Sequence, residues 1–185
     1  MGNASEGTGL IRYTRVAIVL HWTIATLIVA NLAIGLLHDS LLKGTIPLHK
    51  SIGMLVLLLG LVRLGWRFAH RPPPLPASVR VWERRLSAVI HWLFYALIVL
   101  IPLSGWIFTS ASLKRHPLSF FGLFPLPMFP VPQDKAISSV WADRHELMAY
   151  LMIGLLVLHV VGALKHRFVE RDRVLDRMLP GAAQA

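Results

Sequence analysis

The sequence predicts an all-α integral membrane protein, a four-helix bundle that runs up, down, up and down with both termini in the cytoplasm. The first observation behind this prediction is hydrophobicity: 55% of the 185 residues are hydrophobic, and they cluster in four blocks at about 16–37, 46–66, 86–109 and 147–164. A transmembrane helix needs about 20 apolar residues, which each block supplies or nearly supplies. The blocks are almost free of charge, whereas a helix on a soluble protein would show a polar stripe.

The distribution of basic residues is the second observation, and it sets the topology. The chain has 19 Lys and Arg and a net charge of +10. In the four-helix arrangement thirteen of these residues lie toward one side of the membrane and six toward the other. Cytoplasmic loops carry such an excess of Lys and Arg, which places both termini inside. Membrane topology explains the charge better than nucleic-acid binding, which would gather it on one folded face.

The predicted elements form a single transmembrane domain over residues 1–185. Its helices are expected at about 13–37, 46–68, 81–110 and 140–167. Pro47 suits the first turn of the second helix. Pro102 lies inside the third helix, where it removes a backbone hydrogen bond and should bend the helix. The connection at 112–139 is apolar but rich in proline, which predicts a cap over the bundle rather than a fifth span.

Histidines inside these apolar helices are the third observation. His145 and His159 are 14 residues apart, so they share a helix face and lie about 21 Å apart along the axis. That distance is about two-thirds of the hydrocarbon thickness. In the predicted topology His49 joins His145 near the outer surface, while His21 and His91 join His159 nearer the cytoplasm. Ionisable groups at such depth are costly and usually functional.

Two layers of imidazoles in a helix bundle favour a bound cofactor. Imidazole is a common axial ligand of haem iron, and bundle cores often hold cofactors between facing helices. The chain has no cysteine, which excludes disulfides, thiolate zinc sites, iron–sulfur clusters and covalent haem attachment. Three alternatives stay open: histidines that only pack, a zinc site with few carboxylates to support it, and a proton relay.

Polar residues beside the two layers have candidate roles of their own. Lys50 and Arg144 adjoin the outer histidines and could pair with haem propionates, attract small anions, or serve as ordinary interfacial anchors. Arg63 and Arg67 are candidates for the propionate role on the inner side. His166 lies in the last turn of the fourth helix. It is a candidate quinone ligand or simply a polar residue at the membrane surface.

Four stretches of the chain resemble the bacterial cytochrome b561 family: VAIVLHW, PLHKSIGMLVLLLGLVRLGWR, IHWLFYALIVLIPLSGW and RHELMAYLMIGLLVLHVVGALKH. The resemblance extends from about residue 13 to 180. It implies two non-covalent b haems in four membrane helices. A related fold is the di-haem subunit of formate dehydrogenases and nickel–iron hydrogenases, whose ligands come from helices 1, 2 and 4.

By that likeness, His49 and His145 hold the outer haem, and His21 and His159 hold the inner haem. His91 has two expected roles: it replaces His21, or it contacts a propionate or a quinone. The related subunits use helix 1, which favours His21 as the ligand.

The resemblance also implies a function: transmembrane electron transfer linked to the quinone pool in a bacterial inner membrane. At least one protein of this kind resembles a superoxide oxidase, which would make this chain a superoxide:ubiquinone oxidoreductase. Ubiquinone is expected as an electron acceptor or donor. The alternative is a haem-carrying membrane anchor that passes electrons between a dehydrogenase or hydrogenase partner and quinone. A haem-free transporter or structural bundle is a third possibility. Membrane lipid is an expected partner in every case, and nucleic acid in none.

Overall fold

The structure is a computed structural model that describes residues 12–74, 79–114 and 118–180. Four helices dominate it: α1 Arg15–Leu37, α2 Ile46–Ala69, α3 Val81–Ala111 and α4 Lys135–Phe168. Two short strands, β1 Ser119–Phe120 and β2 Phe124–Pro125, lie between α3 and α4, and a 3-10 helix at Leu175–Met178 follows α4. All four α-helices are long and apolar enough to cross a membrane. The predicted four-helix membrane bundle is confirmed.

The start of α4 differs from the expected position near residue 140. The helix begins at Lys135 because Asp134 caps it: the Asp134 side chain accepts a hydrogen bond from the Ile137 amide at 2.9 Å. Thr14 caps α1 in the same way and accepts from the Ala17 amide at 3.2 Å. Side-chain caps satisfy amides that the first turn leaves unpaired. The apolar pattern alone underestimated the length of α4, because the first turns of this helix contain polar residues.

Two contacts at one end of the bundle show that α1 and α2 run antiparallel, and that α3 and α4 do so as well. At the end that we call the tail end, the Trp66 indole donates to the Thr14 hydroxyl at 2.9 Å and joins α2 to α1. At the same end, the Lys165 ammonium lies 2.5 Å from the Glu83 carboxylate and joins α4 to α3. The sequence prediction places this end in the cytoplasm.

The opposite end, called here the hairpin end, carries the two strands. β1 and β2 pair antiparallel, with Phe120 opposite Phe124. Phe121 and Gly122 at the turn have positive φ values of 50° and 73°, as tight hairpin turns require. The Ser51 hydroxyl accepts a hydrogen bond from the Phe121 amide at 3.0 Å. This contact attaches the hairpin to the first turns of α2.

The segment after α4 returns across the tail end to α1. The buried Arg177 side chain donates to the Pro74 carbonyl at 2.9 Å. The Trp22 indole donates to the Met178 carbonyl at 2.8 Å, and the Tyr13 amide contacts the Arg177 carbonyl at 3.4 Å. These contacts hold the segment against both α1 and the connection between α2 and α3.

The apolar core lies in the middle of the bundle and includes Ile24, Val56, Leu97, Ile98 and Met152. Within the described residues, α1 packs on α2, α2 on α3 and α3 on α4, while α1 and α4 approach each other much less closely. Toward one end of the bundle, residues of all four helices line a cavity. His49 and His145 are among the residues that line it.

Replacing Gly60 with alanine should destabilise the bundle. A Cβ at this position overlaps the Ile98 side chain of α3, and overpacking a close helix contact typically costs about 1–3 kcal/mol. Gly65 lies on the same helix, and a Cβ there meets nothing within 4 Å. Thermal unfolding in detergent should show a lower midpoint for Gly60→Ala than for the Gly65→Ala control. Equal midpoints would contradict the close α2–α3 packing.

Candidate cofactor site

The first pair of imidazoles lies toward the hairpin end. The ring centroids of His49 on α2 and His145 on α4 are 6.1 Å apart. His49 Nδ1 lies 3.1 Å from the Asn31 carbonyl on α1, and His145 Nδ1 lies 2.9 Å from the Ile101 carbonyl on α3. A carbonyl only accepts, so Nδ1 carries the proton in both rings. Nε2 of each ring then keeps a free lone pair that is able to bind a metal ion.

A cavity of 720 Å³ surrounds these two rings. Cofactor and ligand sites are usually about 300–1,000 Å³, mostly apolar, with a few polar groups. The lining fits this description, since it is largely aliphatic around the two imidazoles and polar near the hairpin end. Its members include Ile28, Leu32, Gly35, His49, Lys50, Gly53, Val56, Leu97, Gly105, His145 and Met152.

Two glycines make room for the rings of this pair. A Cβ at Gly35 would lie 3.0 Å from Cε1 of His49, and a Cβ at Gly105 would lie 3.1 Å from Cε1 of His145. Both distances are shorter than ordinary van der Waals contact between carbon atoms, about 3.5–4.0 Å. Neither helix tolerates a larger residue here without displacing an imidazole.

The second group of imidazoles lies toward the tail end and has three members. The centroids of His21 and His159 are 6.3 Å apart, and those of His91 and His159 are 5.4 Å apart. The His91 Nδ1–H donates to the Ser87 carbonyl at 2.6 Å. Within the described part of the chain, no hydrogen bond reaches the His21 or His159 ring. Arg63 is close enough to act electrostatically on all three histidines.

The spacing of the rings fits one iron held between two imidazoles. Two metal–nitrogen bonds of about 2 Å, plus roughly 1 Å from each nitrogen to its ring centre, separate the centroids by about 6 Å. The His49–His145 and His21–His159 pairs are at 6.1 and 6.3 Å. The His91–His159 separation of 5.4 Å is shorter. The donor set also suits haem, since each layer offers at least two imidazoles inside a helix bundle.

Lys50 and Arg144, the two basic residues expected at the outer layer, lie in different places in the structure. Lys50 lines the 720 Å³ cavity, together with Lys114, Asp39 and Glu146 near its mouth. Arg144 does not line this cavity: its guanidinium carbon lies 5.1 Å from the centre of the Trp141 ring, in a separate groove. Adjacent residues on a helix point in different directions, so the structure does not bring Arg144 into the cavity that holds His49 and His145.

His166 interacts with the segment that follows α4. Its Nδ1 lies 2.7 Å from carboxylate oxygens of both Glu170 and Asp172. Because α4 has 3.6 residues per turn, the seven residues from His159 to His166 are about two turns, and both side chains share one face. His166 therefore lies on the histidine face of α4, toward the tail end, with its Nδ1 occupied by carboxylates.

Several residues of the site were missed from the sequence. Asn31 and Ile101 contribute backbone carbonyls, and any residue has one, so no side-chain pattern reveals them. Phe94 and Phe108 contact His159 and His145 edge-on, with centroids 5.5 and 5.6 Å apart. Gly105 had a visible signal, a glycine inside an apolar helix.

The fold and the site define a class of protein: a four-helix membrane bundle with facing histidines in two layers. A family model described as prokaryotic cytochrome b561 matches residues 12–181. The chain belongs to this family of haem-b-binding membrane electron-transfer proteins.

Curated relatives agree with this assignment. The chain is 33% identical over 179 residues to cytochrome b561 homolog 2 of Escherichia coli strain K12, covering 91% of both chains. It is 29% identical to cytochrome b562 of Cereibacter sphaeroides, covering 90% of this chain and 94% of that protein. It is 26% identical to the probable superoxide oxidase CybB of Yersinia pestis, covering 91% and 96%.

Proposed function

We propose that this protein carries two b haems and transfers electrons across a bacterial inner membrane to ubiquinone, with superoxide as the donor on the periplasmic side. The observation that carries the proposal is the repeated ring spacing of 6.1 and 6.3 Å in two layers. His49 and His145 hold the outer haem, and His21 and His159 hold the inner one. The hairpin end faces the periplasm, as the distribution of basic residues favours.

A b haem with two imidazole ligands exchanges one electron and leaves no open iron position for a substrate. The protein positions the redox centres and shields them from water. Its imidazoles fix the positions of the two redox centres, and its aliphatic lining excludes water. No general acid, base or nucleophile is needed for electron transfer itself.

Reduction of the quinone also needs protons, which the cytoplasm supplies at the tail end. His166 lies at this end, and its Nδ1 contacts the carboxylates of Asp172 and Glu170.

Superoxide is favoured as donor by the mouth of the outer cavity. Lys50 is half-buried in its wall, while Asp39 and Glu146 are exposed at its edge. A cation in a low-dielectric wall attracts a small anion more strongly than exposed carboxylates repel it. One relative is named a probable superoxide oxidase, which supports the same donor.

Replacing Lys50 with glutamine should slow the reaction with superoxide about tenfold at low salt, because the cation at the cavity wall is lost. Arg144→Gln is the matched control, since Arg144 adjoins His145 in sequence but lies outside the cavity. Pulse radiolysis with haem reduction as the readout measures both rates. The difference between the variants should shrink at high salt, where charges are screened. Equal slowing of both variants would contradict a local role for Lys50.

The function itself is testable in liposomes that contain the haem-loaded protein and ubiquinone. Superoxide generated outside the vesicles should produce ubiquinol, and superoxide dismutase should suppress it. Vesicles without protein are the control. Absence of protein-dependent ubiquinol, with both haems reducible by dithionite, would reject superoxide as the donor.

A haem-carrying anchor for a dehydrogenase or hydrogenase is the second candidate function. The hairpin end favours it, because Phe121, Leu123 and Phe124 are 42%, 77% and 51% exposed at the tip. Such an apolar tip is able to contact a partner subunit. Affinity purification from the native membrane distinguishes the two functions: a stoichiometric redox subunit supports the anchor, and full activity of the isolated chain supports the oxidase.

A further inference from the structure

Each histidine of the outer pair docks into the same kind of notch on a neighbouring helix. On α1 the notch consists of the Asn31 carbonyl and Gly35, and it receives His49. On α3 it consists of the Ile101 carbonyl and Gly105, and it receives His145. In both notches the glycine follows the carbonyl by four residues, which puts the two groups one above the other on one helix face.

The glycine lets the ring come close enough to use the carbonyl. With a Cβ at Gly35 or Gly105, Cε1 of the docked ring would lie at 3.0 or 3.1 Å from it. The ring would then have to move away, and the Nδ1–H···O=C bonds of 3.1 and 2.9 Å would lengthen. The notches therefore fix both the tautomer and the orientation of the outer rings.

We propose that the two notches are positioning elements that make the outer imidazoles the more strongly electron-donating pair, so that the outer haem has a lower midpoint potential than the inner haem. This inference rests on the proposed function. A histidine ligand that donates its other N–H to a carbonyl becomes a more basic ligand. A more basic axial ligand favours oxidised over reduced iron, and second-shell hydrogen bonds are one of the means by which a protein tunes haem potential.

The inner pair has the opposite surroundings. Within the described residues, neither His21 nor His159 donates to a carbonyl, so neither ring gains basicity in this way. The positive charge of Arg63 also acts electrostatically on both rings. Reduction removes one positive charge from a haem, so a fixed cation nearby favours the reduced state. Lys50 in the wall of the outer cavity acts on the outer layer in the same direction, so the fixed charges do not distinguish the two layers. The carbonyl contacts of the notches are what give the outer haem the lower potential, and electron transfer from the outer to the inner haem is then favourable.

A redox titration of the purified holoprotein tests the ordering. The wild type should titrate with two resolved midpoint potentials, and His49→Ala, or His145→Ala if the first variant does not accumulate, identifies the outer component by its loss. We expect the lost component to be the lower one. Two haems with equal potentials, or a higher outer potential, would overturn the inference and leave the proposed function intact. Fewer than two haems per chain would overturn both.

Glycine variants test whether the notches cause the difference. Gly35→Ala and Gly105→Ala should each raise the outer potential and leave the inner one in place. A tenfold change in the ratio of oxidised to reduced haem at a fixed potential corresponds to 59 mV, and we expect a shift of about this size. Gly65→Ala and Gly154→Ala are matched controls, since a Cβ at either position meets nothing within 4 Å. Unchanged potentials in both notch variants, with both haems retained, would refute the role of the notches.

Discussion

His21→Ala should lower the haem content of the purified protein from about two per chain to about one, whereas His91→Ala should retain both haems. The reason is the spacing of the inner rings. The ring centroids of His21 and His159 are 6.3 Å apart, close to the 6.1 Å between those of the outer pair. The centroids of His91 and His159 are 5.4 Å apart. The pyridine haemochrome assay on detergent-purified protein measures the haem content of both variants.

The outcome of this pair of variants decides the ligand set of the inner haem. Loss of haem in His91→Ala with retention in His21→Ala would reverse the assignment and make α3 the ligand-bearing helix. His70→Ala provides a control for general effects of histidine removal. His70 is exposed and stacks on Trp66, with ring centroids 3.9 Å apart, and belongs to neither layer.

His145→Ala should abolish electron transfer from superoxide to ubiquinone while the inner haem stays bound. The variant removes one of the two proposed outer ligands and the ring that fills the Ile101–Gly105 notch. Changes to groups around a metal ligand already cost about 10–100-fold, so loss of the ligand itself should cost at least about 100-fold. Ubiquinol formation in liposomes measures the rate, and the optical spectrum measures the haem that remains.

The inner haem of His145→Ala serves as an internal control. It should keep a low-spin spectrum, because the outer ligands are on the order of 20 Å away along α4. Electron transfer from superoxide at the wild-type rate would show that the outer layer is not on the electron path. Loss of both haems would show that the two layers do not assemble independently.

Hydropathy and histidine spacing were sufficient to predict the helices and the two layers. The 14 residues between His145 and His159 fix their relative depth on any straight helix. The apolar blocks fix the number of spans, because each helix must satisfy its own backbone in lipid. Both are local properties of one segment, and local properties are visible in a sequence.

Properties that depend on a neighbouring helix were not predictable in the same way. Arg144 adjoins His145 in sequence but stacks on Trp141 outside the cavity. Gly35 lies against the His49 ring and Gly105 against the His145 ring. Both contacts are made between neighbouring helices, so the sequence alone did not predict them. The early start of α4 came from Asp134, a cap that precedes the apolar run.

We infer that two imidazole pairs hold two low-spin b haems, one near each side of the membrane. The most direct measurement is haem per chain together with electron paramagnetic resonance of the oxidised, detergent-purified protein. We predict about two non-covalent b haems, both low-spin with bis-imidazole signals. High-spin haem, a single haem, or none in protein expressed with ample haem would contradict the claim.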